Sequence, residues 1–225
     1  MTLERITGWL DKTLDVASFD DVSNNGVQIA RTGDEVRRVA FAVDASARSV
    51  RAAAAAGAEL LVVHHGISWG GGIRRLAGGV CEVVRAAMDV DLAIYACHLP
   101  LDAHPTLGNN AQLAKRCGLK NRRPAFAWRG HVLGVIGEKQ GCRIGICSGG
   151  GGDFAEEAKR LGCDVFVTGE ADWGEVIAAE NCGLTLCCCG HYETEVWGVR
   201  ALAAALKKKF PVEVIDLTTT LMPRQ

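Results

Sequence analysis

Short apolar runs alternate with amphipathic and glycine-containing segments along the first third of the chain. In residues 3–15 the apolar positions recur at helical spacing, which predicts an opening helix. Residues 39–43 and 60–63 are apolar throughout and predict buried strands. The alanine-rich segment between them stops at Gly57, as a helix often does. Two strands joined by a helix form a βαβ unit with parallel strands.

The same succession of patterns recurs later in the chain. A gapless shift of 105 positions brings four features together: 39–43 with 144–148, Gly57 with Gly162, 60–63 with 165–168, and His65 with Glu170. Chance recurrence of βαβ units is the alternative, and the gapless match favours an internal duplication. We therefore predict an α/β fold of two similar lobes, with mixed sheets covered by helices.

Other apolar runs extend this outline. A buried strand is predicted at 92–97, further strands at 132–137, 184–189 and 212–215, and helices at 111–116 and from residue 191 onward. Residues 122–124 (Arg-Arg-Pro) indicate a break between lobes. We predict a first lobe of residues 1–120, with residues 185–225 packing back onto it, and a second lobe with the crossover in residues 121–184.

Composition narrows the classes of function. The 225 residues carry a formal net charge of −1, with 25 Lys and Arg against 26 Asp and Glu, so a nucleic-acid partner is not expected. No apolar run is long enough to span a membrane and no leader pattern precedes Leu3, which predicts a cytoplasmic protein without membrane contact. The ten cysteines form no C-x-x-C pair and are interpreted as small buried apolar residues.

Histidines and carboxylates follow three of the predicted strands. His64 and His65 end one strand, His98 follows another with Asp102 four residues later, and the segment His191–Glu195 begins a helix after a third. His191 and Glu195 are four residues apart and share a helix face. Four of the six histidines thus lie at strand ends. This imidazole and carboxylate set is typical of a site for Zn²⁺, Fe²⁺ or Mn²⁺.

Three local features allow more than one interpretation. Neighbouring residues of a strand point to opposite faces, so His64 and His65 share one site only if the strand is ending, as Gly66 suggests; otherwise they serve two ions. Asp44 also lies at a strand end, where capping of the following helix is favoured over metal ligation. The four glycines at 149–152 would allow backbone N–H groups to contact an anion, although no phosphate-loop lysine follows them.

Five donors saturate two ions only if carboxylates bridge them, and Asp102 and Glu195 are the candidate bridges. The remaining coordination positions would hold water, as in an open catalytic site. A metal-bound hydroxide would then be the nucleophile of a hydrolase. An ordinary α/β domain with incidental histidines is the simpler interpretation, and the shared position of the histidines speaks against it.

Several short motifs together resemble one known family. They are Asn24-Asn25-Gly26-Val27-Gln28, His64-His65, His98-x-x-Leu101-Asp102, Thr168-Gly169-Glu170 and Gly190-His191-x-x-x-Glu195. This set resembles the Nif-three-like dinuclear-metal-centre family, whose members are often labelled type 2 GTP cyclohydrolase I. The resemblance implies two divalent ions held by His64, His65, Asp102, His191 and Glu195. It also implies a homohexamer with sites facing an inner cavity, and a small-molecule substrate such as the nucleotide GTP.

The resemblance implies that His98 either supports the ligands from behind or faces the substrate. With the cyclohydrolase label, His98 and Glu170 are the two candidates for proton transfer, and no further cofactor is expected. The chain departs from the family pattern after Glu170, where the usual histidine is missing, and at Gly66, where proline is usual. We therefore expect a dinuclear-metal-dependent hydrolase that opens the GTP purine ring by attack at C8, or hydrolyses another nucleotide or phosphoester. The alternative is a non-enzymatic metal-binding hexamer with a regulatory or scaffolding role.

Overall fold

The computed structural model describes residues 1–219 and 221, which fall into two units. The first unit contains Met1–Leu101 and the described chain from Val199 onward, and the second contains Asp102–Gly198. These limits differ from the predicted boundaries at 120 and 185 because residues 109–116 pack against the second unit's sheet and residues 185–188 pair with it. Residues 220 and 222–225 of the predicted first lobe lie outside the described residues.

Helices and strands alternate through most of the described chain. In its first half the elements are α1 (Leu3–Leu14), β1 (Gly26–Ile29), β2 (Arg38–Asp44), α2 (Ala47–Ala55), β3 (Leu60–His65), α3 (Gly78–Met88), β4 (Ala93–Ala96), α4 (Leu99–Ala103) and α5 (Asn109–Arg116). In the second half they are β5 (Lys120–Trp128), β6 (His131–Lys139), β7 (Cys142–Cys147), α6 (Ala155–Arg160), β8 (Val165–Thr168), α7 (Trp173–Asn181), β9 (Thr185–Cys188), α8 (His191–Lys209) and β10 (Glu213–Asp216).

The first unit is built on a five-stranded mixed sheet in the order β1-β4-β3-β2-β10. Strands β10, β2, β3 and β4 are parallel, and β1 pairs antiparallel with β4 at one edge. The central strands are apolar throughout because helices cover both faces of such a sheet, and Phe41, Leu61 and Ile94 are fully buried. The mixed α/β fold predicted from the sequence is confirmed.

The second unit has its own five-stranded mixed sheet, in the order β5-β6-β7-β8-β9. Strands β5, β6 and β7 are antiparallel, whereas β7, β8 and β9 are parallel. The prediction of a break at residues 122–124 was wrong, since these residues lie within β5. Pro124 is tolerated there because β5 is an edge strand, where one missing N–H donor costs no ladder hydrogen bond.

The predicted duplication appears in the pairing of strands. Val39 pairs with Leu60 in the first unit, and Ile144 pairs with Val165 in the second, so the 105-residue shift preserves the strand register. Three pairs of supporting residues also coincide under this shift. They are the arginines Arg38 and Arg143, the left-handed glycines Gly57 and Gly162, and the acids Glu59 and Asp164, which accept hydrogen bonds from the arginines' backbone N–H groups.

The cysteines only partly follow the sequence interpretation. Cys97, Cys147 and Cys163 are buried, and burial raises the pKa of the Cys163 thiol. Cys188 and Cys189 are exposed instead, at the end of β9. No helix among the described residues combines the length and apolar character needed to cross a bilayer.

Candidate metal centre

Three imidazoles converge in the first unit. His64 and His65 are the last residues of β3, and His98 lies between β4 and α4. The ring centroid of His64 lies 4.6 Å from that of His65 and 5.1 Å from that of His98. One nitrogen of each ring lies within 4.8 Å of the others, a spacing that one metal ion can span. Because β3 ends at His65, both neighbouring histidines reach the same group, which favours the strand-end interpretation.

Each of these imidazoles is held by a hydrogen bond at Nδ1. The acceptors are the carbonyl oxygen of Cys97 for His64 at 2.9 Å, and the carboxylates of Asp44 for His65 and Asp21 for His98, both at 2.8 Å. A carbonyl or carboxylate oxygen only accepts, so Nδ1 carries the proton and Nε2 presents a lone pair. This arrangement of an outer acceptor behind each ring is typical of metal-binding histidines.

Contrary to the sequence prediction, Asp44 does not cap helix α2. The side chain of Ser46, not Asp44, caps helix α2 and accepts a hydrogen bond from the backbone N–H of Ser49. The carboxylate of Asp44 is instead directed at His65. Serine caps helices as well as aspartate does, and the predicted capping by Asp44 was wrong.

Both carboxylate oxygens of Asp21 accept two hydrogen bonds each. Its side chain is only 2% exposed. Its Oδ1 accepts from His98 Nδ1 and from the N–H of Ser23, and its Oδ2 accepts from Asn25 Nδ2 and the N–H of Leu99. Burial raises the pKa of Asp21, but the hydrogen bond and charge of His98 and the other donors outweigh it and lower the pKa to about 2.

Replacing Asp21 by asparagine should destabilise the fold. Each carboxylate oxygen of Asp21 accepts from two donors, so an amide NH₂ in place of either oxygen would face two hydrogen-bond donors. We expect Asp21→Asn to lower the free energy of unfolding by about 2 kcal/mol, measured by urea denaturation of metal-free protein. Asp34 is exposed, so Asp34→Asn removes the same charge and serves as the control. Equal stability of both variants would contradict the hydrogen-bond assignment.

The segment Asn24–Gln28 supports the same centre. Asn25 Oδ1 accepts from the N–H of His98 at 2.8 Å. Gln28 Oε1 accepts from the N–H groups of Ile67 and Ser68, the loop that follows His65. From sequence, Asn24-Asn25-Gly26 indicates mainly a turn. The supporting role of this segment was missed because its side chains contact residues 39–73 positions away, and such contacts leave no local sequence signal.

Trp69 stands beside these histidines. Its ring centroid lies 5.1 Å from that of His98 at near-perpendicular orientation, and 6.0 Å from that of His65. Its Nε1 donates to the carbonyl of Gly66, while 38% of the residue stays exposed. Trp69 therefore forms part of the solvent-facing border of the three-histidine group.

In the second unit, Asp102 lies in a polar network with little solvent exposure. Its Oδ1 accepts from Asn109 Nδ2 at 2.8 Å and from Ser148 Oγ at 3.3 Å. Asn109 is itself fully buried and accepts from the N–H of Gly198 in helix α8. Asp102 is 7% exposed, and these donors are neutral, so they orient the carboxylate without cancelling its charge.

His191 and Glu195 meet on the first turns of α8, as their spacing predicts. His191 Nε2 lies 3.2 Å from Glu195 Oε2, and Nδ1 donates to Glu170 Oε1 at 2.9 Å. The side chain of Glu195 is 3% exposed, whereas that of Glu170 is 64% exposed. Glu170, expected as a proton-transfer residue, thus takes the orienting place behind His191 that Asp44 takes behind His65.

The glycine run at 149–152 has a packing role in place of the expected anion contact. The N–H of Gly149 donates to Thr194 Oγ1, and that of Gly151 donates to Thr168 Oγ1, so both donors are already used. Gly149 has φ +64° and lies against the Glu195 carboxylate, where any Cβ would collide with Oε1. The loop needs glycine in order to approach Glu195.

The residues present suit divalent metal ions. Four imidazoles have Nδ1 occupied by an oxygen acceptor, and two nearly buried carboxylates, Asp102 and Glu195, are held in place by surrounding residues. Burying such a carboxylate is unfavourable unless a cation accompanies it. Nitrogen and oxygen donors of this kind suit Zn²⁺, Fe²⁺ or Mn²⁺.

Comparisons with known proteins agree with this description. The profile of the family Duf34/NIF3 (NGG1p interacting factor 3) matches residues 1–141 and again residues 127–223. A Deinococcus radiodurans protein named GTP cyclohydrolase 1 type 2 homolog is 37% identical, over 97% of this chain and 94% of its own. A Pyrococcus horikoshii protein of the same name is 35% identical, over 96% and 97%.

Solved structures are also similar to this chain over almost its whole length. The protein ybgI, described as of unknown function, superposes with a TM-score of 0.85 at 28% identity, covering 100% of this chain and 99% of its own. A protein from Thermus thermophilus superposes with a TM-score of 0.82 at 30% identity, covering 96% and 98%. The likeness therefore extends over nearly the whole chain in each case.

Proposed function

The chain belongs to the Duf34/NIF3 family, and from this premise we propose that it is a metal-dependent hydrolase whose centre holds two divalent ions. The observation that carries the proposal is the common state of four imidazoles. Each ring donates Nδ1–H to an oxygen, which leaves the lone pair at Nε2 for a metal ion; the four are His64, His65, His98 and His191. Histidines with purely structural roles have no reason to share this state.

We assign the ligands to His64, His65, Asp102, His191 and Glu195. Support comes from the burial of both carboxylates and from the orienting groups behind each imidazole. Bound ions at such a site polarise a substrate and lower the pKa of a water molecule, which makes hydrolysis feasible near neutral pH.

His98 keeps the proton-transfer role. Its side chain is 16% exposed, its orientation is fixed by Asp21, and Trp69 borders it on the solvent side. A ring so placed can exchange a proton with a substrate at Nε2 while Nδ1–H stays bound to the carboxylate. Glu170 acts through His191 and is a positioning residue, because its oxygen is engaged with the ring of that histidine.

A nucleotide is the proposed substrate class, with GTP as the first candidate. This assignment is supported by the name shared by the Deinococcus and Pyrococcus relatives. A homohexamer is proposed on family resemblance. The rival proposal is a non-enzymatic metal-binding ring with a regulatory or scaffolding role, and the use of Glu170 as a positioning residue favours it.

Turnover separates the two proposals. Protein purified without chelator and supplied with Zn²⁺, Fe²⁺ or Mn²⁺ should hydrolyse GTP or another nucleotide, with products followed by chromatography. His191→Ala should lose this activity, whereas His131→Ala should keep it, because His131 is a histidine outside the assigned ligands. Bound metal without turnover of any nucleotide would favour the scaffold, and absence of metal binding would overturn both proposals.

A further inference from the structure

A cavity of about 330 Å³ lies within the second unit. It is bordered by the start of the α4–α5 segment on one side and by strands β5 and β6 on the other. Its lining includes Asp102, His104, Arg122, Arg123, Pro124 and Val132. This volume is within the range of small-molecule sites, and the mixture of apolar walls with a few charged groups is typical of them.

Two consecutive arginines of β5 line this cavity. Side chains of neighbouring strand residues point to opposite faces. Strand β5, however, has a bulge here: Lys120 pairs with Glu138 and Arg123 pairs with Ile136, so three steps along β5 oppose two along β6. Asn121, within the bulge, has a left-handed φ of 49°. Bulges re-aim side chains in this way and are often found beside functional sites.

The two guanidinium groups are available for a ligand. Both arginines are exposed, and neither side chain takes part in a hydrogen bond or ion pair among the residues that the structure describes. Glu138, an acid of the neighbouring strand β6, is already engaged with Asn121 Nδ2 at 2.9 Å and with Arg143 at 3.8 Å. Two adjacent guanidinium groups that are not paired with a protein carboxylate favour a bound anion.

The other walls define the rest of the ligand. His104 accepts at Nδ1 from the N–H groups of Thr106 and Leu107, at 3.2 and 3.0 Å, which holds its ring in place at the cavity wall. Pro124 and Val132 supply apolar surface for an uncharged part of the ligand. Asp102, an assigned metal ligand, also borders the cavity and thereby joins it to the proposed centre.

We propose that this cavity binds the phosphate groups of a phosphorylated small molecule, through the guanidinium groups of Arg122 and Arg123. The inference deepens the proposed function, on which it rests for the assignment of Asp102 to the metal centre, and it defines the substrate class as a nucleoside polyphosphate. The same pair of arginines would also accept free oligophosphate, so the two sources of phosphate must be compared.

Calorimetric titration of full-length protein, both metal-loaded and chelator-treated, tests the proposal. The probes are inorganic triphosphate, GTP and guanosine. Triphosphate and GTP should bind without metal, while guanosine should not. Arg122→Gln and Arg123→Gln should each weaken binding by about tenfold or more, as expected for a charge-assisted hydrogen bond, and the double variant should abolish it. Tighter binding of GTP than of triphosphate would identify a nucleotide as the occupant.

Arg160→Gln is the matched control, because Arg160 is an exposed arginine of α6 in the same unit and lies outside the cavity. Its binding constants should equal those of the wild type. Triphosphate binding that survives the double variant, or no binding at all, would overturn the inference. Because the titration also uses metal-free protein, loss of the phosphate site and loss of the metal centre give different results.

Discussion

Glu195→Ala and Asp102→Ala should each remove at least about half of the bound metal. Wild-type protein purified without chelator is expected to carry about two ions per chain, and each variant at most about one, when metal is measured by elemental analysis. The reason is burial: with 3% exposure for the Glu195 side chain and 7% for Asp102, each carboxylate supplies charge that water cannot replace.

Glu193→Ala provides the control for this experiment. Glu193 belongs to the same helix but is two residues from Glu195, so it faces another direction, and its replacement should leave the metal content unchanged. Thermal unfolding in the presence of chelator shows whether each variant is folded. A folded Glu195→Ala protein with its full metal content would refute the assigned ligand set.

Removing an orienting carboxylate should weaken metal binding even though it touches no ion. Asp44→Ala and Glu170→Ala each delete the acceptor behind a proposed ligand, His65 and His191 respectively, and should lower metal affinity about 10–100-fold. The measurement is competition with a chromophoric chelator. Both side chains are largely exposed, at 52% and 64%, so the fold should tolerate the changes.

Asp44→Asn is the informative companion. Its amide oxygen can still accept from Nδ1 of His65, so its affinity should lie close to that of the wild type. If Asp44→Asn and Asp44→Ala weaken binding equally, charge and not orientation is what Asp44 contributes. If neither variant changes affinity, the orienting role is wrong.

Much of the scaffold could be predicted from sequence. The buried strands β2 and β3 have uninterrupted apolar runs, and the gapless repeat placed β7 and β8 correctly because the same register recurs in both sheets. The pair His191 and Glu195 was recognisable because helix periodicity is local. The limits of β5 were missed because Pro124 signals a break unless the strand is known to be at an edge.

The support behind the candidate ligands was much harder to predict. Asp21 contacts His98 across 77 positions, and Asn25 contacts the same residue across 73. Such pairs depend on how loops return to a sheet edge, and no periodicity encodes that path. Asp44 could be recognised as a candidate, but a carboxylate at a strand end can either cap a helix or orient a histidine. The choice depends on which side chain accepts from the N–H of Ser49, and that is known only from the structure.

The hydrogen bonds at Nδ1 bear on how the chain responds when metal is withdrawn. Each imidazole keeps its acceptor, from Cys97 O behind His64 to Glu170 behind His191, and these contacts need no ion. The donor atoms are therefore preorganised, so little conformational entropy is lost when an ion arrives. Unlike a zinc finger, in which binding energy is spent on folding, this protein should exchange its metals as a folded scaffold.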